Sequence, residues 1–374
     1  MKLKTSFVGL DVARGIAAIA VVISHYRALI FVDYQHADAR GVWKAAYFLS
    51  GFGHEAVMAF FVLSGILISR SVDFQSSEKK FIWRKYLIDR LVRLELVLIP
   101  AIIIGAMWDY LGLKVSSFPE VYTKAFGLSG AANTEKNLSL INAVGNILFL
   151  QPNHVPTFGS NGPLWSLAYE FWYYILYAAL ISVLYSVSKF IRALWLIVIA
   201  LIIWFIGAEM ALYGLIWLLG SGVYYMSKKN TVSTPFICAG SIMSLFMLTL
   251  IRVNIFAKGF TADLSLGLAF AILFVGLLAD DGKVNQFASK IAKVLSERSY
   301  TCYLVHVPFG IWFSANTIGS SKILPSVRGL LIAGGFIGSF IIYNEIMYRL
   351  FEQNTKRCKQ VLYNIFKIDK IVQS

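Results

Sequence analysis

Arg14 and His25 stand eleven residues apart inside one apolar run, GLDVARGIAAIAVVISHY. At 100° per residue, eleven steps make three turns and ~20° more, so on a helix both side chains share one face, ~16 Å apart along the axis. A guanidinium suits phosphates because it forms bidentate, charge-assisted hydrogen bonds. An imidazole accepts and returns protons near neutral pH. One helix face thus offers an anion site and, deeper, a base or a nucleophile. Asp11, three residues before Arg14, is spaced to orient the guanidinium. The competing reading has Arg14 snorkelling and His25 packed as a satisfied polar group; two such residues on one face weigh against it.

Further groups of this kind recur along the chain. Arg90 and Arg93 share a helix face just before an apolar run, as a phosphate site would, although a basic flank of a membrane span looks the same. Glu170 closes the stretch PLWSLAYE, just inside the start of another run, at a depth comparable with His25. A buried carboxylate beside an imidazole fixes its tautomer and raises its basicity. Trp165 in that stretch is balanced between a substrate contact and an interfacial aromatic. Ser64 lies at middle depth in FFVLSG, followed by Gly65, where a backbone or ligand can approach closely. His306 ends SYTCYLVH, also at middle depth, while His54 and Glu55 read as a solvated helix end.

The elements that must position these groups are membrane spans. The chain of 374 residues is 58% hydrophobic and 14% charged, with a mean hydropathy of +0.67, where soluble domains carry roughly 25% charged residues. Runs near the ~20 residues needed to cross a bilayer fall at 12–32, 55–69, 91–112, 164–185, 191–207, 210–226, 235–251, 262–279, 299–318 and 329–350. The fold class expected is therefore all-α, a polytopic bundle of about ten transmembrane helices in one domain (1–350), followed by a basic tail (351–374). Segment 138–150 is too short to cross and reads as re-entrant or interfacial. Counting it as non-crossing puts Lys79, Lys80, Arg84, Lys85, Lys228, Lys229, Lys356, Arg357 and Lys359 on the cytoplasmic side with both termini. The net charge of +14 thereby sets topology and calls for no nucleic acid. Cys238, Cys302 and Cys358 form no disulfide framework. The N-terminal run, interrupted by Asp11 and Arg14, is an uncleaved first span.

Taken together, these stretches resemble the acyltransferase-3 family, polytopic membrane enzymes that O-acetylate bacterial surface polysaccharides and other acceptors. The resemblance runs over residues 9–348. It rests on Arg14 with His25, FFVLSG, Arg90 with Arg93, PLWSLAYE and SYTCYLVH, in the family's order. It implies an inner-membrane enzyme whose acyl-CoA donor, acetyl-CoA with succinyl or another acyl left open, enters from the cytoplasm. The acceptor is then a hydroxyl of an extracytoplasmic polysaccharide or oligosaccharide, and no metal takes part. Arg14, Arg90 and Arg93 are expected on the CoA phosphates, His25 as base or acyl carrier with Glu170 orienting its ring, and Ser64, Trp165 and His306 around the substrates. Phe171 and Trp172 replace a glutamate and a glutamine frequent in the family, and Ile66 replaces a phenylalanine; these departures bear on the acceptor. A secondary transporter or polysaccharide flippase would carry similar buried charges and is the alternative.

Overall fold

A computed structural model describes residues 8–77, 81–122, 133–228, 234–279, 286–319 and 321–368; Lys79, Lys80 and Lys229 lie outside them. In lipid an apolar run must satisfy its own backbone hydrogen bonds, and a helix does so within one segment. Helices are what the chain forms: α1 Val8–Ile30, α2 Val42–Leu49, α3 Gly53–Ser77, α4 Trp83–Lys114, α5 Thr134–Asn137, α6 Leu140–Ile147, α7 Leu164–Tyr185, α8 Lys189–Ser227, α9 Thr234–Arg252, α10 Phe260–Ala279, α11 Gln286–Thr317, α12 Val327–Leu350 and α13 Thr355–Ile365. The β-structure among the described residues is one isolated bridge, Phe31 to Ile323.

Eight helices are long and apolar enough to cross a membrane, where the sequence predicts about ten passes. Two elements account for the difference. The 39 residues of α8 would run ~58 Å if straight, about twice a bilayer's hydrocarbon core, but Gly207 breaks the helix at φ 79° and ψ 165°, a conformation that glycine adopts without strain. Asn153 and His154 donate to the carbonyls of Ile206 and Phe205 at that turn. Trp195 stacks on Trp83 at one end, and Tyr224 donates to Asp73 on the way back. α8 is therefore two passes. The second element is α11, whose Thr301, Tyr303 and His306 dilute its hydropathy because it faces inward, packed on α1, α4 and α12.

Segment 138–150 does not cross: α6 has eight residues and lies on the surface with Leu140 and Ile141 exposed. The start of α1, the start of α4 and α13 share one face, here the terminal face, since Tyr363 and Lys359 of α13 both reach Asp89 of α4. The long connection between α4 and α7 lies on the opposite, loop face. Helices α1, α3, α7 and α11 form the inner layer, and the first half of α8 and α9 are largely exposed, as a lipid-facing surface requires. The second half of α8 meets α3 backbone to backbone: a Cβ on Gly65 would collide with the carbonyl of Trp217, and one on Gly220 with that of Val62. Small residues at such a crossing let two helices approach closely.

Candidate active site

Two cavities penetrate the inner layer from opposite faces. The first, about 180 Å3, opens toward the terminal face and is lined by Arg14, Arg90, Arg93, Ser64 and Glu170, among others. Each guanidinium is held by its neighbours. Arg14 donates to Ser296 Oγ at 3.2 Å, and that hydroxyl donates to Asp11 at 2.8 Å, so Asp11 acts on Arg14 through a serine. Arg90 donates to Ser71 at 3.1 Å and lies over the rings of Tyr86 and Tyr174. Arg93 pairs with Glu352 at 2.9 Å and lies over Tyr300. Residues far apart in sequence thus place three cations around one opening.

Glu170 belongs to this first cavity and does not reach His25. Its Oε1 accepts from Ser64 Oγ at 2.8 Å and from Tyr174, while Trp217 donates to Ser64 at 3.1 Å. The expected carboxylate on the imidazole is replaced by a second histidine. His25 Nδ1 lies 2.8 Å from His306 Nε2, and His306 Nδ1 lies 2.8 Å from the carbonyl of Tyr303. A carbonyl only accepts, so Nδ1 of His306 carries a proton; a neutral His306 then offers the lone pair of Nε2, and His25 must donate from Nδ1. That fixes the tautomer of His25 and leaves its Nε2 as an acceptor. His306 itself is fully buried and lines neither cavity, which corrects its expected place at the substrate.

His25 opens into the second cavity, about 170 Å3, on the loop-face side, with His54, Gly162, Pro163 and Trp165. Arg14 and His25 therefore share a helix face but not a chamber; the two cavities share Val57 and Tyr303 as a common wall. The roof of the second cavity is pinned by a local consequence of proline. Pro308 in α11 has no N–H, which frees the carbonyl of Leu304 four residues earlier, and Asn161 Nδ2 donates to it at 2.8 Å. Buried Asp109 holds the same loop through the N–H and hydroxyl of Ser160, at 2.8 and 2.6 Å.

Three residues at or behind these cavities were not singled out as site residues from the sequence. His54, which reads as a solvated helix end, bonds Asp263 at 2.9 Å, and Tyr213 donates to the same carboxylate oxygen at 2.6 Å; its ring stacks near Trp165 in the second cavity. Lys359 of α13 lines the first cavity and pairs with Asp89 at 3.0 Å. Burial holds its ammonium below the ordinary lysine pKa, with Asp89 working against that shift. Glu352, besides pairing with Arg93, accepts from the N–H and hydroxyl of Thr301 at 3.1 and 2.6 Å. The sequence signal for Glu352 and Lys359 was weak, because charges just past a last span read as a solvated tail.

Among the described residues, no group of three His, Cys, Asp or Glu side chains is placed to hold a metal ion. The protein-family model described as an acyltransferase domain matches residues 7–344, more than half of the chain. No curated protein and no solved structure matches it.

Proposed function

The chain belongs to the acyltransferase-3 family, and from that premise we propose that it transfers an acetyl group from cytoplasmic acetyl-CoA to a hydroxyl of an extracytoplasmic polysaccharide or oligosaccharide at a bacterial inner membrane. Family membership favours acyl transfer over a transporter or flippase. The terminal face is read as cytoplasmic. Arg14, Arg90 and Arg93 receive the CoA phosphates there through charge-assisted hydrogen bonds. The pantetheine arm extends along the first cavity past Ser64 and Glu170, whose carboxylate is offered to the arm's amide N–H groups. The thioester comes to rest at the wall formed by Val57 and Tyr303.

The acceptor enters the second cavity from the loop face. Its hydroxyl gives its proton to Nε2 of His25 as its oxygen attacks the thioester carbonyl. A C–O bond forms, the C–S bond breaks, and the CoA thiolate takes the proton back from the imidazolium. The observation that carries this reading is the pair of hydrogen bonds that leave Nε2 of His25 free to accept inside a cavity abutting the cationic one.

The test uses purified protein and reads free thiol released from acetyl-CoA on adding acceptor. His25→Ala is expected to lower kcat by about 10²- to 10⁴-fold, the range for a lost general base, with the protein still folded in the membrane. Unchanged turnover by that variant would sink the scheme. Radiolabelled acetyl-CoA without acceptor separates direct transfer from an acyl-histidine: stable label on the wild type that His25→Ala lacks marks the covalent route.

A further inference from the structure

The steps above leave unused a larger cleft, about 630 Å3, on the loop face between the end of α1, α2, the start of α3 and residues 251–258. Four cations line it, Arg27, Lys44, Arg252 and Lys258, against the carboxylates of Asp33 and Glu55. Asp33 is already paired with Lys322 at 3.5 Å. Arg27 and Arg252 both lie against Tyr47, the one over its ring and the other donating to its carbonyl at 2.8 Å, and like charges gathered around one residue are relieved by an anion between them. The cleft is therefore short of negative charge.

Two atoms in it also lack partners. Glu55 is only 6% exposed, yet its Oε2 has no hydrogen-bond partner, and neither does Nε of Arg27. Both atoms are shut off from solvent, so what the cleft offers a polyhydroxylated, negatively charged ligand is the outward donors of its four cations. One aromatic face completes the lining: Tyr34 is half exposed, while Tyr47 is buried beneath Arg27, which lies over its ring at 5.3 Å. Such a face suits the C–H surface of a sugar ring.

Two helices, α1 and α3, run past both this cleft and the cavity of His25, which have no lining residue in common. Arg27 follows His25 by two residues on α1, and Glu55 follows His54 by one on α3. We propose that this cleft is the docking subsite for the acceptor and that the acceptor is an anionic glycan, one whose sugars carry carboxylate or phosphate. This rests on the acyl-transfer reading, in which a hydroxyl of the docked glycan reaches His25.

The experiment measures binding without donor, on the full chain in phosphatidylcholine nanodiscs. The probes are an oligogalacturonate, a phosphorylated oligosaccharide and a neutral malto-oligosaccharide of equal length. At least one acidic probe is expected to bind ten-fold or more tightly than the neutral one and to weaken as salt rises, and the tighter of the two names the charged group. The double variant Lys44→Ala/Lys258→Ala, which removes two exposed side chains, should weaken the acidic probe about five-fold or more at an unchanged melting temperature. Equal binding of acidic and neutral probes overturns the proposal, as does indifference to the double variant. Competition by added phosphatidylglycerol overturns it as well, since the occupant would then be a lipid headgroup. Because no acyl transfer is measured, charge-selective binding by a protein that never releases thiol upholds this subsite while defeating the reaction scheme.

Discussion

His25 has an imidazole behind it where many catalytic histidines have a carboxylate. Its proton at Nδ1 is held by a neutral lone pair on His306, so in the proposed reaction His306 is assigned as a positioning residue. His306→Phe removes that lone pair and leaves a buried N–H unpaired, a cost of ~1–3 kcal/mol. The expected outcome is a fall of about ten-fold in kcat with an unchanged KM for acetyl-CoA. His306→Gln, whose amide oxygen can accept the same proton, should recover part of the loss; a change confined to KM would refute the assignment. Lys359 of the tail lines the proposed donor cavity, and its removal is expected to act oppositely. Lys359→Ala should raise the KM for acetyl-CoA several-fold and leave kcat alone, as expected of a ground-state phosphate contact.

At the scale of the element, two devices hold the site in shape and both can be tested. Gly65 and Gly220 let α3 and α8 touch backbone to backbone, which seats Trp217 on Ser64 in the first cavity. Gly65→Val forces these helices apart and should cost ~1–3 kcal/mol, the range for overpacking, read as a lower melting temperature in detergent. Asn161→Ala strips the partner from the Leu304 carbonyl that Pro308 exposes; it should raise the KM for acceptor and not for donor. The helices themselves were legible from the sequence, because period, length and basic flanks are local properties. Even the reversal at residue 207 fell where two apolar runs meet. Which helix stands beside which was not local, and that is why Glu170 was matched with His25 on depth alone. In the structure α7 turns Glu170 toward α3 and its Ser64, whereas α11 brings His306 to His25.

For the whole molecule, the contacts make one body of the inner layer and the segment after α12. Glu352 ties that segment to Arg93 and Thr301, and Lys359 and Tyr363 tie it to Asp89. What reads in sequence as a separate basic tail thus closes the wall of the first cavity, beyond the end of the family match at residue 344. Ten passes with both ends on one face make a definite expectation. A reporter that folds only in the cytoplasm should be active when fused after Ser374 and inactive when inserted at Gly207; the reverse pattern would invert the assignment of donor and acceptor faces.

Val57 and Tyr303 have one more consequence. Recesses that enter a bilayer from both faces and joined freely would form a conduit, and a cell that stores energy as an ion gradient would discharge through it. Ending both at the same pair of side chains makes those side chains an electrical insulator, and in the proposed reaction the acyl group would plug the place where the two compartments come nearest.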